Sequence, residues 1–143
     1  MPIKVRAATL EDAERLADLA TQLGYASTVA QMRERLAALP QDGCHALFVA
    51  EKDGFVAGWV HVLLLPTLES EMRGEVAGMV VDKSYRRSGI GRLLMERAED
   101  WTREKGVRLI GLRSNIIRNE AHAFYESLGY SRIKTQYAYR KKL

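Results

Sequence analysis

The chain has 143 residues, 47% hydrophobic and 28% charged, the size and balance of one soluble globular domain rather than a disordered, collagen-like or low-complexity chain. No run approaches the roughly 20 apolar residues that a membrane helix needs, and residues 1–6 lack the long apolar stretch of a secretory signal. The single Cys44 can form neither an internal disulfide nor a cysteine-rich metal site, so the expectation is a reduced, cytoplasmic, single-domain protein spanning residues 1–143, without a membrane span and without a metal.

The net charge of +4 is unevenly spread. Residues 1–82 carry 7 basic and 12 acidic side chains, whereas residues 83–143 carry 15 basic and 6 acidic ones. A basic half suits an anionic partner, whether nucleic acid, an acidic membrane surface or a phosphorylated small molecule, and an acidic half suits a cationic one. Charge alone does not choose among these.

In chain order, Ile3–Ala7 reads as a short strand. Thr9 offers an N-cap oxygen, with Glu11 and Asp12 in the first turn where the helix dipole favours acids. Ala13, Leu16, Ala17, Ala20 and Leu23 recur at helical spacing, so Leu10–Leu23 is an amphipathic helix ended by Gly24. Ser27 is placed to cap a second helix, which Pro40 stops. Ala46–Glu51 is a strand, and Lys52-Asp53-Gly54 turns the chain into a second strand, Phe55–Leu65, broken by Pro66. Met72–Val81 is another strand with Gly78 as a bulge position. A basic glycine loop, Arg86–Gly91, leads into a helix from Ile90 to about Lys105. Arg108–Ser114 reads as a strand, Glu120–Leu128 as a short helix capped by Gly129, and Tyr130–Arg140 as a closing strand. The order β-α-α-β-β-β-α-β-α-β mixes hairpins with crossovers, which predicts an α/β (α+β) domain with a mixed, mainly antiparallel sheet flanked by helices.

The segment richest in chemistry is Val80-Val81-Asp82-Lys83-Ser84-Tyr85-Arg86-Arg87-Ser88-Gly89-Ile90-Gly91-Arg92. A strand running through a glycine loop into a helix aims unpaired backbone N–H groups and the positive helix end at one point, a natural seat for a pyrophosphate. A Walker A loop fails because no lysine follows Gly91, and the dinucleotide fingerprint fails because Leu94 stands where a small residue is needed. A solvated loop with surface arginines remains the bland alternative.

Two blocks together carry a resemblance. Arg86-x-x-Gly89-x-Gly91, preceded by Met79-Val80-Val81-Asp82, resembles the pyrophosphate-binding motif of the GCN5-related N-acetyltransferase (GNAT) superfamily. Ala121-His122-Ala123-Phe124-Tyr125-Glu126-Ser127-Leu128-Gly129-Tyr130 is similar to its A-x-x-[FL]-Y-x-x-x-G-[FY] segment, and Leu23-Gly24-Tyr25 to a segment of many bacterial members. The resemblance spans almost the whole chain and implies acetyl-CoA as cosubstrate. It places the cofactor against Met79, Val80, Val81, Arg86, Arg87, Ser88, Gly89, Ile90, Gly91, Arg92 and Phe124. One departure stands out: Arg118 occupies the position where many members have an asparagine, and Asn115 is the preferred stand-in for its contact to the pantetheine arm.

The resemblance further implies direct acetyl transfer to an amine, without an acyl-enzyme. A carboxylate base must take the amine's proton, and Glu75 matches its position; Glu69 and Glu71 are weaker candidates. The Met79 N–H or a neighbour would stabilise the oxyanion. Tyr125 matches the general acid, since a phenol with an ordinary pKa near 10 keeps its proton at pH 7. His45 and His61 show no spacing that suggests a triad or a metal. The leading expectation is an acyl-CoA-dependent N-acetyltransferase acting on a cationic acceptor such as an aminoglycoside, polyamine or lysine side chain. The alternative is a CoA-binding regulatory module with little or no catalysis. A nucleic-acid binder ranks third, because no stretch interleaves exposed aromatics with arginines as stacking platforms require. Tyr130–Arg140 is long enough to pair two copies into a homodimer, and a monomer is equally compatible.

Overall fold

Asp53 and Gly54 both take positive φ, 55° and 74°, the left-handed pair that a two-residue hairpin needs to match strand twist. That turn folds β2 (His45–Lys52) onto β3 (Phe55–Leu65), and the rest of the sheet grows outward from this hairpin. The structure is a computed structural model and describes residues 2–143. These residues fall into two compact units, one running to Leu112 and the other comprising Arg113–Leu143.

In the first unit, β1 (Lys4–Ala7) pairs with β2, and β4 (Arg73–Val81) with β3, all antiparallel. The short β5 (Ile110–Leu112) lies parallel to β4, giving the order β1-β2-β3-β4-β5. α1 (Ala13–Leu23) and α2 (Val29–Ala38) pack on one face, where Leu16 and Leu19 meet Val49, Val56 and Val80, with Met32, Leu36 and Trp59 around them. α3 (Ile90–Glu104) covers the other face with Ile90, Leu94, Met95 and Ala98, all fully buried. The sheet is mixed, mainly antiparallel and flanked by helices, as the residue pattern predicts.

Two details of this sheet position everything that follows. Val62 faces Val76 while His61 faces Gly78, so Ala77 is an extra residue on β4, a β-bulge one position before Gly78. β4 also pairs with β5 only at Gly74, Glu75 and Val76, whereas it pairs with β3 from Arg73 to Val81.

The second unit holds α4 (Asn119–Ser127) and the tail. Here the structure corrects a predicted element: Tyr130–Arg140, expected as a closing strand, pairs with no strand among the described residues. Residues 131–143 are exposed throughout, with Ile133, Tyr137 and Tyr139 left 85%, 88% and 93% exposed. Alternation supplies a strand with a face, but only a partner's main-chain groups complete a ladder. The predicted Arg108–Ser114 strand is likewise shortened to β5. Thr28, rather than Ser27, caps α2: its hydroxyl accepts from the Gln31 N–H at 3.1 Å while the Gln31 side chain accepts from the Thr28 N–H at 3.0 Å, a reciprocal box that Ser27 cannot make.

Two buried carboxylates make the fold sensitive to acid. Asp12 accepts from Arg6 at 2.8 and 2.9 Å, and Asp82 from the Ser84 N–H at 2.9 Å and from Arg15 at 2.7 Å. The Arg6 bonds hold Asp12, and the Ser84 N–H followed by Arg15 holds Asp82, below the usual aspartate range. A lowered folded pKa adds stability that is present above the unfolded value of about 4 and is lost as pH falls through the folded value. The urea midpoint should therefore drop between pH 5 and 2, and drop less steeply in Asp82→Asn.

Candidate active site

The uncovered half of β4 is the first element of the site. The Asp82 N–H donates to the Ala57 carbonyl on the β3 side at 2.8 Å. Backbone groups alternate along a strand, so Val80 also directs its N–H and C=O toward β3, and Met79 and Val81 direct theirs to the opposite edge. β5 pairs there only as far as Val76. Beyond the bulge, Met79 and Val81 thus offer N–H and C=O groups along an edge that β5 does not cover. The Val80 side chain, by contrast, is buried in the core beneath α1.

The strand ends in a loop bent toward α3. Arg87 and Gly89 take φ of 64° and 87°, left-handed values that Gly adopts freely and Arg only with strain of about 1 kcal/mol or more. The Ser88 hydroxyl donates to the Tyr85 carbonyl and pins the turn. Gly89 is the N-cap of α3 and has no side chain to cap with. The first intrahelical bond is Leu93 N–H to Gly89 C=O, at 3.1 Å, so the N–H groups of Ile90, Gly91 and Arg92 have no acceptor within the helix. Arg86 and Arg87 are exposed beside them, and Arg92 lies 4.0 Å from Glu96. Uncapped N–H groups, a positive helix end and neighbouring guanidinium groups fit an anion such as a pyrophosphate. The Ile90 side chain does not contribute to this surface, being 1% exposed in the core.

Glu75 sits on β4 opposite Leu63, half-buried, with Arg73 3.7 Å away. Its side chain emerges on the α1–α2 face, the same face as His61 and Leu63. Glu69 and Glu71 are exposed in the connection before β4.

In the second unit, Asn115 opens a turn in which its side-chain oxygen accepts from the Ile117 N–H at 3.1 Å and its carbonyl accepts from the Arg118 N–H at 3.0 Å. His122 Nε2 donates to that same carbonyl at 2.7 Å, so this histidine braces the turn. Phe124 and Tyr125 lie side by side in α4 with ring centroids 5.2 Å apart, and Tyr130 meets Tyr125 edge-on at 6.2 Å. Burial pushes the Tyr125 phenol above its ordinary pKa, against a smaller opposing pull from Arg118.

Residues 11–130 match the acetyltransferase (GNAT) family. The chain belongs to this family. It is 29% identical to an aminoglycoside N(6')-acetyltransferase type 1 of Stenotrophomonas maltophilia, over 97% of this chain and 93% of that protein. It is also 26% identical to an N-acetyltransferase of Bacillus subtilis, over 68% and 70% of the two chains. Among solved structures, the aminoglycoside acetyltransferase AAC(6')-Iy bound to a CoA bisubstrate analogue superposes with a TM-score of 0.86 at 19% identity over the whole of both chains. These neighbours share the fold, and that one holds a CoA group.

Reasoning from the residues alone passed over one feature of this acetyltransferase. His45 Nδ1 and His61 Nε2 are 3.0 Å apart, with the rings stacked at 5.2 Å between centroids. The hairpin register contains the signal. A turn at Asp53-Gly54 sets Leu47 opposite His61 and His45 opposite Leu63, which makes the two histidines diagonal neighbours on one face. Nearby, the Trp59 indole N–H is buried without an acceptor.

The environment of Tyr125 can be tested directly. In a spectrophotometric titration, subtracting Tyr125→Phe from the wild-type acetyltransferase should isolate a phenol that ionises above pH 10, later than an exposed tyrosine.

Proposed function

We propose that this GNAT acetyltransferase moves an acetyl group from acetyl-CoA directly to a primary amine of a small molecule or peptide, as one domain working in a reduced, cytoplasmic setting. The observation that carries the reading is the uncovered β4 edge ending at the uncapped, arginine-flanked start of α3. Met79 and Val81 would pair through main-chain groups with the pantetheine arm, as an added strand does. The N–H groups at the start of α3, with Arg86, Arg87, Ser88, Gly89 and Arg92, would hold the pyrophosphate. Asn115 keeps its amide nitrogen for the pantetheine arm, and Phe124 packs beneath it.

The chemistry asks for three groups. The amine must lose a proton before its lone pair can attack the thioester carbon, and Glu75 accepts that proton, directly or through water. The Met79 N–H stabilises the charge that develops on the carbonyl oxygen. As the carbon–sulfur bond breaks, Tyr125 gives its phenolic proton to the departing thiolate; a phenol held above its ordinary pKa reaches that step protonated. Glu69, Glu71 and Glu75 favour a cationic acceptor, and the Stenotrophomonas relative makes aminoglycosides the first acceptors to try. The exposed 131–143 tail, with unpaired main chain and Ile133, Tyr137 and Tyr139 bare, suits strand pairing with a second copy. Light scattering should then give a dimer mass for the full chain and a monomer mass after removal of residues 131–143.

Thermal unfolding with acetyl-CoA, CoA, ATP and NAD tests the first claim. A ligand at about a hundred times its Kd adds about 2.7 kcal/mol, a shift of a few degrees for a domain of this size. Acetyl-CoA and CoA should produce that shift and NAD should not. Thiol release with aminoglycosides, polyamines and a lysine peptide then tests transfer. Tyr125→Phe should lower kcat about a hundredfold while leaving the acetyl-CoA shift in place. No shift with saturating acetyl-CoA would refute the reading.

A further inference from the structure

We propose that His61 and His45 form a two-imidazole relay that carries the acceptor amine's proton from the reaction centre to solvent, with His61 touching the amine and His45 acting through it. The inference rests on the acetyl-transfer reading above and revises one role in it: His61, in place of Glu75, takes the amine's proton.

Position is the first argument. His61 faces Gly78 and is one residue from the Val60–Met79 pair, so it lies level with the backbone N–H assigned to the carbonyl oxygen. Glu75 lies on the far side of the bulge, four residues along β4 from Met79, a separation on the order of 10 Å at about 3.3 Å per residue, and it has Arg73 beside it. Along the strands, His61 stands nearer to that N–H than Glu75 does.

The second argument is connectivity. The 3.0 Å contact uses His61 Nε2 and His45 Nδ1, which leaves His61 Nδ1 at one end and His45 Nε2 at the other. His45 opens β2, three residues after the exposed Asp42, and the relay is drawn with its solvent end there. The charged groups around the pair are Asp42 in that turn, Lys105 beside it, and Arg73 and Glu75 on β4. Among the described residues none of them hydrogen-bonds either ring. Burial, with a smaller contribution from His45, holds His61 below the ordinary histidine pKa, which keeps it neutral and able to accept at pH 7.

The step balances. The ammonium gives one proton to His61 Nδ1, the His61 Nε2 proton passes to His45 Nδ1, and the His45 Nε2 proton passes to water. The pair begins and ends neutral. The freed lone pair forms the carbon–nitrogen bond, and sulfur leaves with the electrons of the broken carbon–sulfur bond and takes its proton from Tyr125.

The test is a pH–rate series of thiol release, from pH 5.5 to 9.5, for wild type, His61→Gln, His45→Gln and Glu75→Gln, with the best amine of the aminoglycoside and polyamine panel. His61→Gln should lower kcat/KM for the amine about a hundredfold at pH 7 and abolish the acid-side fall in rate expected of the wild type as His61 becomes charged, at a pH below the ordinary histidine range. Its acetyl-CoA thermal shift should stay unchanged, which reports a folded protein with an intact cofactor site. His45→Gln should cost less, about tenfold. In the CoA-bound wild type, adding the amine should move the His61 imidazole nitrogen resonances. A wild-type rate and pH profile in His61→Gln, with transfer lost in Glu75→Gln, would overturn the relay and leave the acetyltransferase reading standing. Failure of wild type to acetylate any amine while binding acetyl-CoA would overturn both.

Discussion

β4 must satisfy two neighbours unequally. A strand carries hydrogen-bonding groups on both edges, and a buried group left unpaired is costly. Here one edge is paired along its full length and the other at three residues only. The extra residue at Ala77 is what makes the uncovered portion specific. Without it the alternation would turn Gly78 and Val80 to the open edge; with it, Met79 and Val81 face outward and Val80 drops into the core under Leu16 and Leu19. One inserted residue thus sets which amides are free, which side chain is buried, and which residue of β3 stands level with them.

The loop beyond β4 depends on a second constraint. Arg15 donates to the Val56 carbonyl at 3.0 and 2.9 Å, pairs with Asp82 at 2.7 Å, and lies 4.1 Å over the Phe55 ring. A single guanidinium from α1 therefore ties together the start of β3 and the end of β4. Asp82 is 7% exposed, and a buried carboxylate is tolerated only when paired and hydrogen-bonded. Its second oxygen accepts from Ser84, and the Gln22 side chain accepts from the Lys83 N–H at 3.1 Å. The backbone therefore enters the glycine turn already fixed in direction.

How much of this was legible in the sequence depends on whether the determinant was local. The Asp53-Gly54 turn, the amphipathic stripe of α1 and the stop at Pro40 are each written within a few residues, and each is where the pattern places it. The blocks around Arg86–Gly91 and Phe124–Tyr125 identified the family for the same reason. Features made by pairing were less visible. The bulge was placed at Gly78 because glycine marks bulges, yet the register puts the extra residue at Ala77, and only the pairing with β3 reveals it. Tyr130–Arg140 carries a strand's alternation, but alternation does not supply a partner. The spacing of 45 and 61 along the chain carries no signal, because the two histidines become neighbours only across the β2–β3 hairpin.

A site read through main-chain amides has a particular tolerance of change. At positions 79 and 81, any residue except proline presents the same N–H and C=O to the open edge, while the side chains at 75 on β4 and at 59 and 61 on β3 project onto the α1–α2 face instead. Substitutions that reshape the acceptor side can therefore accumulate without disturbing the amides along the edge. On the proposed reading, that separation would let the acceptor side change while the amides that meet the acyl donor stay as they are.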